Sequence, residues 1–215
     1  MKNFKTIIIL ILNILSVQLN AQDKIQERDT MWYLNGDYEL ISNYEFIDSG
    51  RILLYENKKG KYKDVETFFL FSINKADGTQ NIIYKPLGEE EGDTLTVEEM
   101  RAFVRGGHCG YKEYKAPIST IEGLIVGFSS PFFVASFGLN PFYSILIPAM
   151  NSTLVGATSP STRRITKKYP ELSKNPMFIE GYKEAAKRKR TKNSIVGGLV
   201  GIVTGVATVL IIITR

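Results

Sequence analysis

The chain has one cysteine, one histidine and one tryptophan in 215 residues, and the first two scarcities each close off a class of chemistry. A single Cys109 excludes an intrachain disulfide and any cysteine-based zinc site. A single His108 excludes every constellation that needs two imidazoles. The two are adjacent in a glycine-flanked run, Gly106-Gly107-His108-Cys109-Gly110. Neighbouring positions do not readily face each other across a site, as a thiolate–imidazole pair must. The run reads as an exposed loop, and its odd cysteine leaves open an intermolecular disulfide through Cys109. No GxSxG, HExxH, Walker A or strand-borne GxGxxG sequence is present. The carboxylates of Gly88–Asp93 lack EF-hand spacing and read as a solvated linker. No catalytic residue, metal ligand or cofactor-binding residue is assigned, and the chain is expected to be non-enzymatic.

Charge is missing from two long stretches, 123–162 and 193–214. What surrounds them is sharply divided. Residues 22–120 carry 13 Lys and Arg against 18 Asp and Glu, whereas 163–192 carry 11 Lys and Arg against three Glu. The formal net charge of +5 therefore conceals an acidic module and a basic segment between two apolar ones.

The N-terminus has the layout of a secretory signal peptide. Lys2 and Lys5 precede an apolar run from Thr6 to Val17, and Leu19-Asn20-Ala21 offers a small residue for cleavage. That run is well below the roughly 20 residues a spanning helix needs, so cleavage after Ala21 is expected over an uncleaved anchor.

Ile195–Thr214 is apolar on every face and, at 1.5 Å per residue, about 30 Å long, which matches a bilayer core. The earlier apolar region opens with a capping box, Ser119-Thr120-Ile121-Glu122, and predicts a helix to Gly138. Asn140-Pro141 then breaks it. Phe142–Val155, with Pro148 inside, is compatible with a re-entrant piece, an interfacial piece or a second crossing. The excess of Lys and Arg in 163–192 marks a cytoplasmic loop, which requires a single crossing in 119–150 if the acidic module lies outside.

Between Asp29 and Leu87 the sequence alternates in short apolar runs separated by turn signals: Asn35-Gly36, Asp48-Ser49-Gly50, Lys58-Lys59-Gly60-Lys61 and Asp77-Gly78. Five strands are expected, with Thr67–Asn74 the most apolar and central, in a small SH3-like or Sm-like barrel. Thr96-Val97-Glu98-Glu99 then caps a short helix ending at Arg105.

Two further features point to a membrane. Gly197, Gly201 and Gly205 recur every fourth residue, and Gly123 and Gly127 repeat the spacing; glycine on one helix face lets two backbones approach. The partner is either the other span or a second copy. The cluster Lys187, Arg188, Lys189, Arg190 and Lys192 abuts the last span, and such clusters attract anionic lipid headgroups. With Phe178, Tyr182 and Ala185-Ala186 among the charges, Met177–Lys192 reads as an interfacial amphipathic helix. A nucleic-acid partner is not expected.

The order of elements resembles a loose group of uncharacterised exported membrane proteins of Bacteroidota. The matching residues are Asn35-Gly36, Met100-Arg101-Phe103 and Gly181-Tyr182-Ala186-Lys189. The resemblance covers most of the chain and implies its architecture, with no activity attached. The expected organisation is an α+β membrane protein. It comprises a signal peptide (1–21), an extracytoplasmic β module with a short helix (22–118), a first transmembrane segment broken at Pro141 (119–150), a basic cytoplasmic loop (151–194) and a second transmembrane helix (195–214). The expected location is the bacterial inner membrane with 22–118 in the periplasm. The expected role is an interaction or assembly subunit, as a homo-oligomer or with another membrane subunit; the alternative is a ligand sensor or accessory subunit of a transporter.

Overall fold

The computed structural model describes residues 28–86 and 95–214. The expected signal peptide and the Gly88–Asp93 linker lie outside the described residues.

Six antiparallel strands form one sheet: β1 (Asp29–Tyr33), β2 (Tyr38–Ile47), β3 (Ile52–Asn57), β4 (Tyr62–Glu66), β5 (Leu70–Asn74) and β6 (Gln80–Ile82), in the order β4-β3-β2-β1-β5-β6. Each anticipated turn is present, and side chains help to close three of them. Asn35 Oδ1 accepts from the Asp37 amide, Asn57 Oδ1 from Lys59 and Lys61, and Asp77 Oδ1 from Thr79. Gly36 at the first turn has a φ of 86°, which a side chain would strain.

The strand count corrects the expectation of five. β4 (YKDVE) presents Tyr62, Lys63 and Asp64 to solvent and only Val65 to the core, so no apolar periodicity marks it; charged exposed residues suit an edge. Nor is Thr67–Asn74 one central strand. Thr67–Phe69 is a 3-10 turn with Phe68 and Phe69 exposed, and β5 lies between β1 and β6. β5 is apolar because both of its faces are covered. Leu70 and Ile73 join Met31, Ile41, Leu53 and Tyr55 in one cluster, while Phe71 joins Tyr84, Met100 and Val104 in another.

That second cluster docks α1 (Val97–Glu113), which begins with the anticipated capping box: Thr96 Oγ1 accepts from the Glu99 amide and Glu99 Oε2 from the Thr96 amide. The helix does not stop at Arg105. It continues through Gly106-Gly107-His108-Cys109-Gly110, so this run is helix and not loop. A Cβ on Gly107 would lie 2.8 Å from the Asn35 carbonyl oxygen, and one on Gly110 would lie 2.6 Å from that of Tyr182. Close packing outweighs the low helix propensity of glycine, about 1 kcal/mol per residue.

Helix α2 (Pro117–Ser136) starts two residues before the expected cap, with Pro117 in its first turn; Ser119 is buried inside the helix and caps nothing. The chain turns at Gly138 (φ 61°) and Asn140-Pro141 into α3 (Tyr143–Ala157). α4 (Thr162–Lys168) and a 3-10 turn (Leu172–Lys174) lead to α5 (Pro176–Ile213). Its 38 residues unite the expected amphipathic helix and last span, because Thr191-Lys192-Asn193-Ser194 contains no glycine or proline to separate them.

α1 and α2 lie end to end and parallel to α5. Phe103 meets Gly181 and Gly110 meets Tyr182 in the first half, and Thr120 meets Gly197 and Phe128 meets Gly205 in the second. α3 runs antiparallel to both α2 and α5, with Pro148 against Gly198 and Gly156 against Thr191. The basic segment consequently lies on the β-module side of the bundle. Arg188 donates to the Asn35 carbonyl oxygen, and Lys189 to that of Tyr111. The module and the basic segment therefore share one side of the bundle, where the sequence predicts opposite sides.

Candidate functional site

The two expected glycine repeats meet each other. Gly123 lies against Ser194, Gly127 against Gly198, and Gly197 against Thr120 and Leu124. A Cβ on Gly201 would lie 2.6 Å from the Phe128 amide nitrogen, and one on Gly205 would lie 3.1 Å from Pro131 Cγ. All five glycines are buried within one chain. The two repeats thus form one seam within the chain.

A second seam, not anticipated, joins α1 to the first half of α5. Gly106 abuts Phe178 and Tyr182, Gly181 abuts Phe103, and Gly110 abuts Ala185. Its signal was present as Gly106-x-x-x-Gly110 and Gly181-x-x-x-Ala185, the same i, i+4 spacing found in the spans. Reading the first as a loop concealed it.

Around the first seam the usual distribution of polarity is inverted. Ser119, Ser130, Ser144, Ser152 and Ser194 are buried, while Ile118, Ile121, Ile125, Phe133, Leu154, Val203 and Ile213 are at least half exposed. Ser152 Oγ is 3.1 Å from Ser194 Oγ, and Ser130 Oγ donates to the Ser144 carbonyl oxygen at 2.8 Å. Among the described residues, two helices, α2 and α5, are long and apolar enough to cross a membrane; α3, at about 22 Å, is shorter than a bilayer core.

The structure divides the basic cluster. Lys189 caps a carbonyl in the last turn of α1 at 2.7 Å and lies over the Tyr111 ring; Arg190 donates to the Thr158 carbonyl oxygen after α3 at 2.9 Å. Cations suit helix C-termini because backbone carbonyls converge there. Arg188 holds the Asn35-Gly36 turn, and Lys187 pairs with Glu184 at 2.6 Å. Lys192 is exposed, without an ion pair among the described residues.

His108 and Cys109 have separate surroundings. His108 stands edge-on to Trp32 and Tyr38, with ring centroids 5.0 and 5.5 Å away, and burial followed by the charge of Lys112 lowers its pKa. Cys109 is half-buried among Ile165, Phe178, Tyr182 and Tyr169, and burial, reinforced by Glu113, raises its thiol pKa. An intermolecular disulfide through Cys109 requires that cluster to open. No group of three or more His, Cys, Asp or Glu gathers as a metal site among the described residues.

On the β module, Leu34, Phe46, Thr67, Phe68, Ile82 and Tyr84 line a cleft of about 440 Å³. It was not visible in the sequence because its walls come from four separate segments, at Leu34, Phe46, Thr67-Phe68 and Ile82–Tyr84. Compared with family models, curated proteins and solved structures, the chain matches none.

Proposed function

We propose that this chain is a non-enzymatic integral membrane protein of the cell envelope, which holds a small β module against the bilayer as an interaction or assembly subunit. The observation that carries the reading is the inverted bundle, with serine and glycine inside and large apolar side chains outside. An apolar exterior of that extent is unfavourable in water and favourable in lipid. Small residues at the helix seam serve where lipid removes the hydrophobic drive for association.

The β module is best read as a partly open barrel of the SH3-like or Sm-like kind. In support, the ten-residue β2 pairs with β1 through its first half and with β3 through its second, and Phe46 of β2 lines the same 440 Å³ cleft as Ile82 of β6. Phe68 and Phe69 are more than half exposed beside that cleft, which favours a protein-binding surface. The volume also falls within the range of small-molecule pockets, the observation behind the sensor alternative.

The leader-like N-terminus supports the extracytoplasmic face of the inner membrane for the module and, with it, the basic segment; the Lys and Arg excess of 163–192 taken alone favours the cytoplasmic face, and the leader is given precedence because the first apolar segment usually dominates topology. The uncharged α2–α3 turn then points toward the cytoplasmic side, and α3 with its uncharged flanks returns the chain. Cross-linking the full chain in native membranes after alkaline carbonate washing tests the reading. Retention in the membrane, with a constitutive partner lost in Phe68→Asp, is expected. Release by carbonate would refute membrane integration. Saturable small-molecule binding without a partner would favour the sensor.

A further inference from the structure

Lys187, Arg188 and Lys192 converge with Gly156 and Thr191 around a cavity of about 470 Å³ at the C-terminal end of α3. Below it, Ile145, Pro148, Ala149, Ile195, Leu199 and Ile202 line an apolar groove of about 270 Å³ between α3 and α5. Thr191 and Ile195 belong to both, so mouth and groove form one path. Glycine creates the space at each level: Gly156 has no side chain beneath Thr191, and Gly198 has none beside Pro148.

We infer that this path is a binding site for one anionic phospholipid, its phosphate held by Lys187 and Lys192 and an acyl chain lying between α3 and α5. The inference rests on the membrane reading above. Three observations select this occupant. Glu184 offsets one of the three cations, leaving the mouth net positive by two. Lys192 is the last charge before an uncharged stretch of 22 residues, so the mouth lies where headgroups would meet hydrocarbon. From Thr191 to Ile202 the groove descends about 16 Å, close to half of a roughly 30 Å hydrocarbon core, which is the depth of one leaflet. A polar peptide would leave its backbone unsatisfied along such walls. Arg188, Lys189 and Arg190 are turned to backbone carbonyls; Arg188 adds its charge to the rim of the mouth, and none of the three holds the phosphate.

The test uses full-length protein in phosphatidylcholine nanodiscs carrying trace photoactivatable phosphatidylglycerol or phosphatidylcholine with identical diazirine acyl chains. Labelled residues are mapped by mass spectrometry. Phosphatidylglycerol should label Ile145–Ala149 and Ile195–Ile202 well above phosphatidylcholine. The double variant Lys187→Gln/Lys192→Gln should lower that labelling about thirtyfold and leave Ile121 and Val203 unchanged. Ala149→Phe, on the exposed side of the groove, should lower it with every cation intact. Equal labelling by both lipids, or labelling indifferent to both variants, overturns the site. Displacement by inorganic phosphate would assign the mouth to a free anion, and protomer–protomer cross-links at Ala149 would assign the groove to a second copy; either overturns it. Absence of acyl labelling at Ile121 and Val203 as well would instead defeat the membrane reading, and the site with it.

Discussion

Gly127 on α2 and Gly198 on α5 meet backbone to backbone: a Cβ on Gly127 would lie 2.9 Å from the Gly198 Cα. No side chain separates the helices at this level. Their close approach leaves Ser152 and Ser194 to satisfy each other on the α3 side.

Gly201→Leu should therefore wedge the seam apart. Overpacking of this kind costs about 1–3 kcal/mol, read as a lower thermal midpoint of the purified full chain in detergent. Val203→Leu, on a position 70% exposed, should change stability by less than about 0.5 kcal/mol. Because the seam is intramolecular, Gly201→Leu should leave the oligomeric state unaltered. A changed oligomeric state with unchanged stability would show that the seam joins copies instead.

Acidification should loosen the β module from α1 before it affects the rest. Burial lowers the His108 pKa below its ordinary value of 6.5. The unfolded state therefore binds a proton more readily than the folded state, and stability falls as pH drops below 6.5 through the folded pKa. Above 6.5 the contribution is complete. The carboxylates with lowered pKa, Asp77, Glu99 and Glu113, act only at more acidic pH. Trp32 fluorescence, reporting the ring contact with His108, should follow this transition, and His108→Gln should flatten it between pH 5 and 6.5. A wild-type slope retained in that variant would contradict the assignment.

The shared side of the module and the basic segment can be read with two cysteine reporters in a Cys109→Ser background. Lys59→Cys lies in an exposed turn of the sheet, and Lys174→Cys in the exposed turn before α5. Both should react together with an impermeant maleimide added to intact inner membranes from the extracytoplasmic side. Labelling of one before lysis and the other only after it would separate the two segments and contradict the Arg188–Asn35 contact. Labelling of both only after lysis would keep the contact and reverse the orientation.

Much of the architecture was legible because it depends on local chemistry. The Asn35-Gly36 turn needs a left-handed backbone, which glycine alone adopts without strain. The capping box at Thr96 and Glu99 acts across three residues, and the uncharged runs state their own solvent preference. The spacing of Gly197, Gly201 and Gly205 marks a helix face before any partner is known. Other features required the tertiary structure because they depend on residues distant in sequence. Gly106 to Gly110 resembled a loop until α5 covered it, since a glycine carries the same symbol whether it breaks a helix or admits a neighbour. β4 escaped notice because an edge strand burying one residue has no apolar period. Most consequentially, the charge of 163–192 argued for a side opposite the module, whereas α3 returns the chain to the same side. Lys and Arg composition reports an average over a segment; the destination of each cation, to Asn35, Tyr111, Thr158 or the open mouth beside Gly156, is decided only by which carbonyls the fold brings within reach.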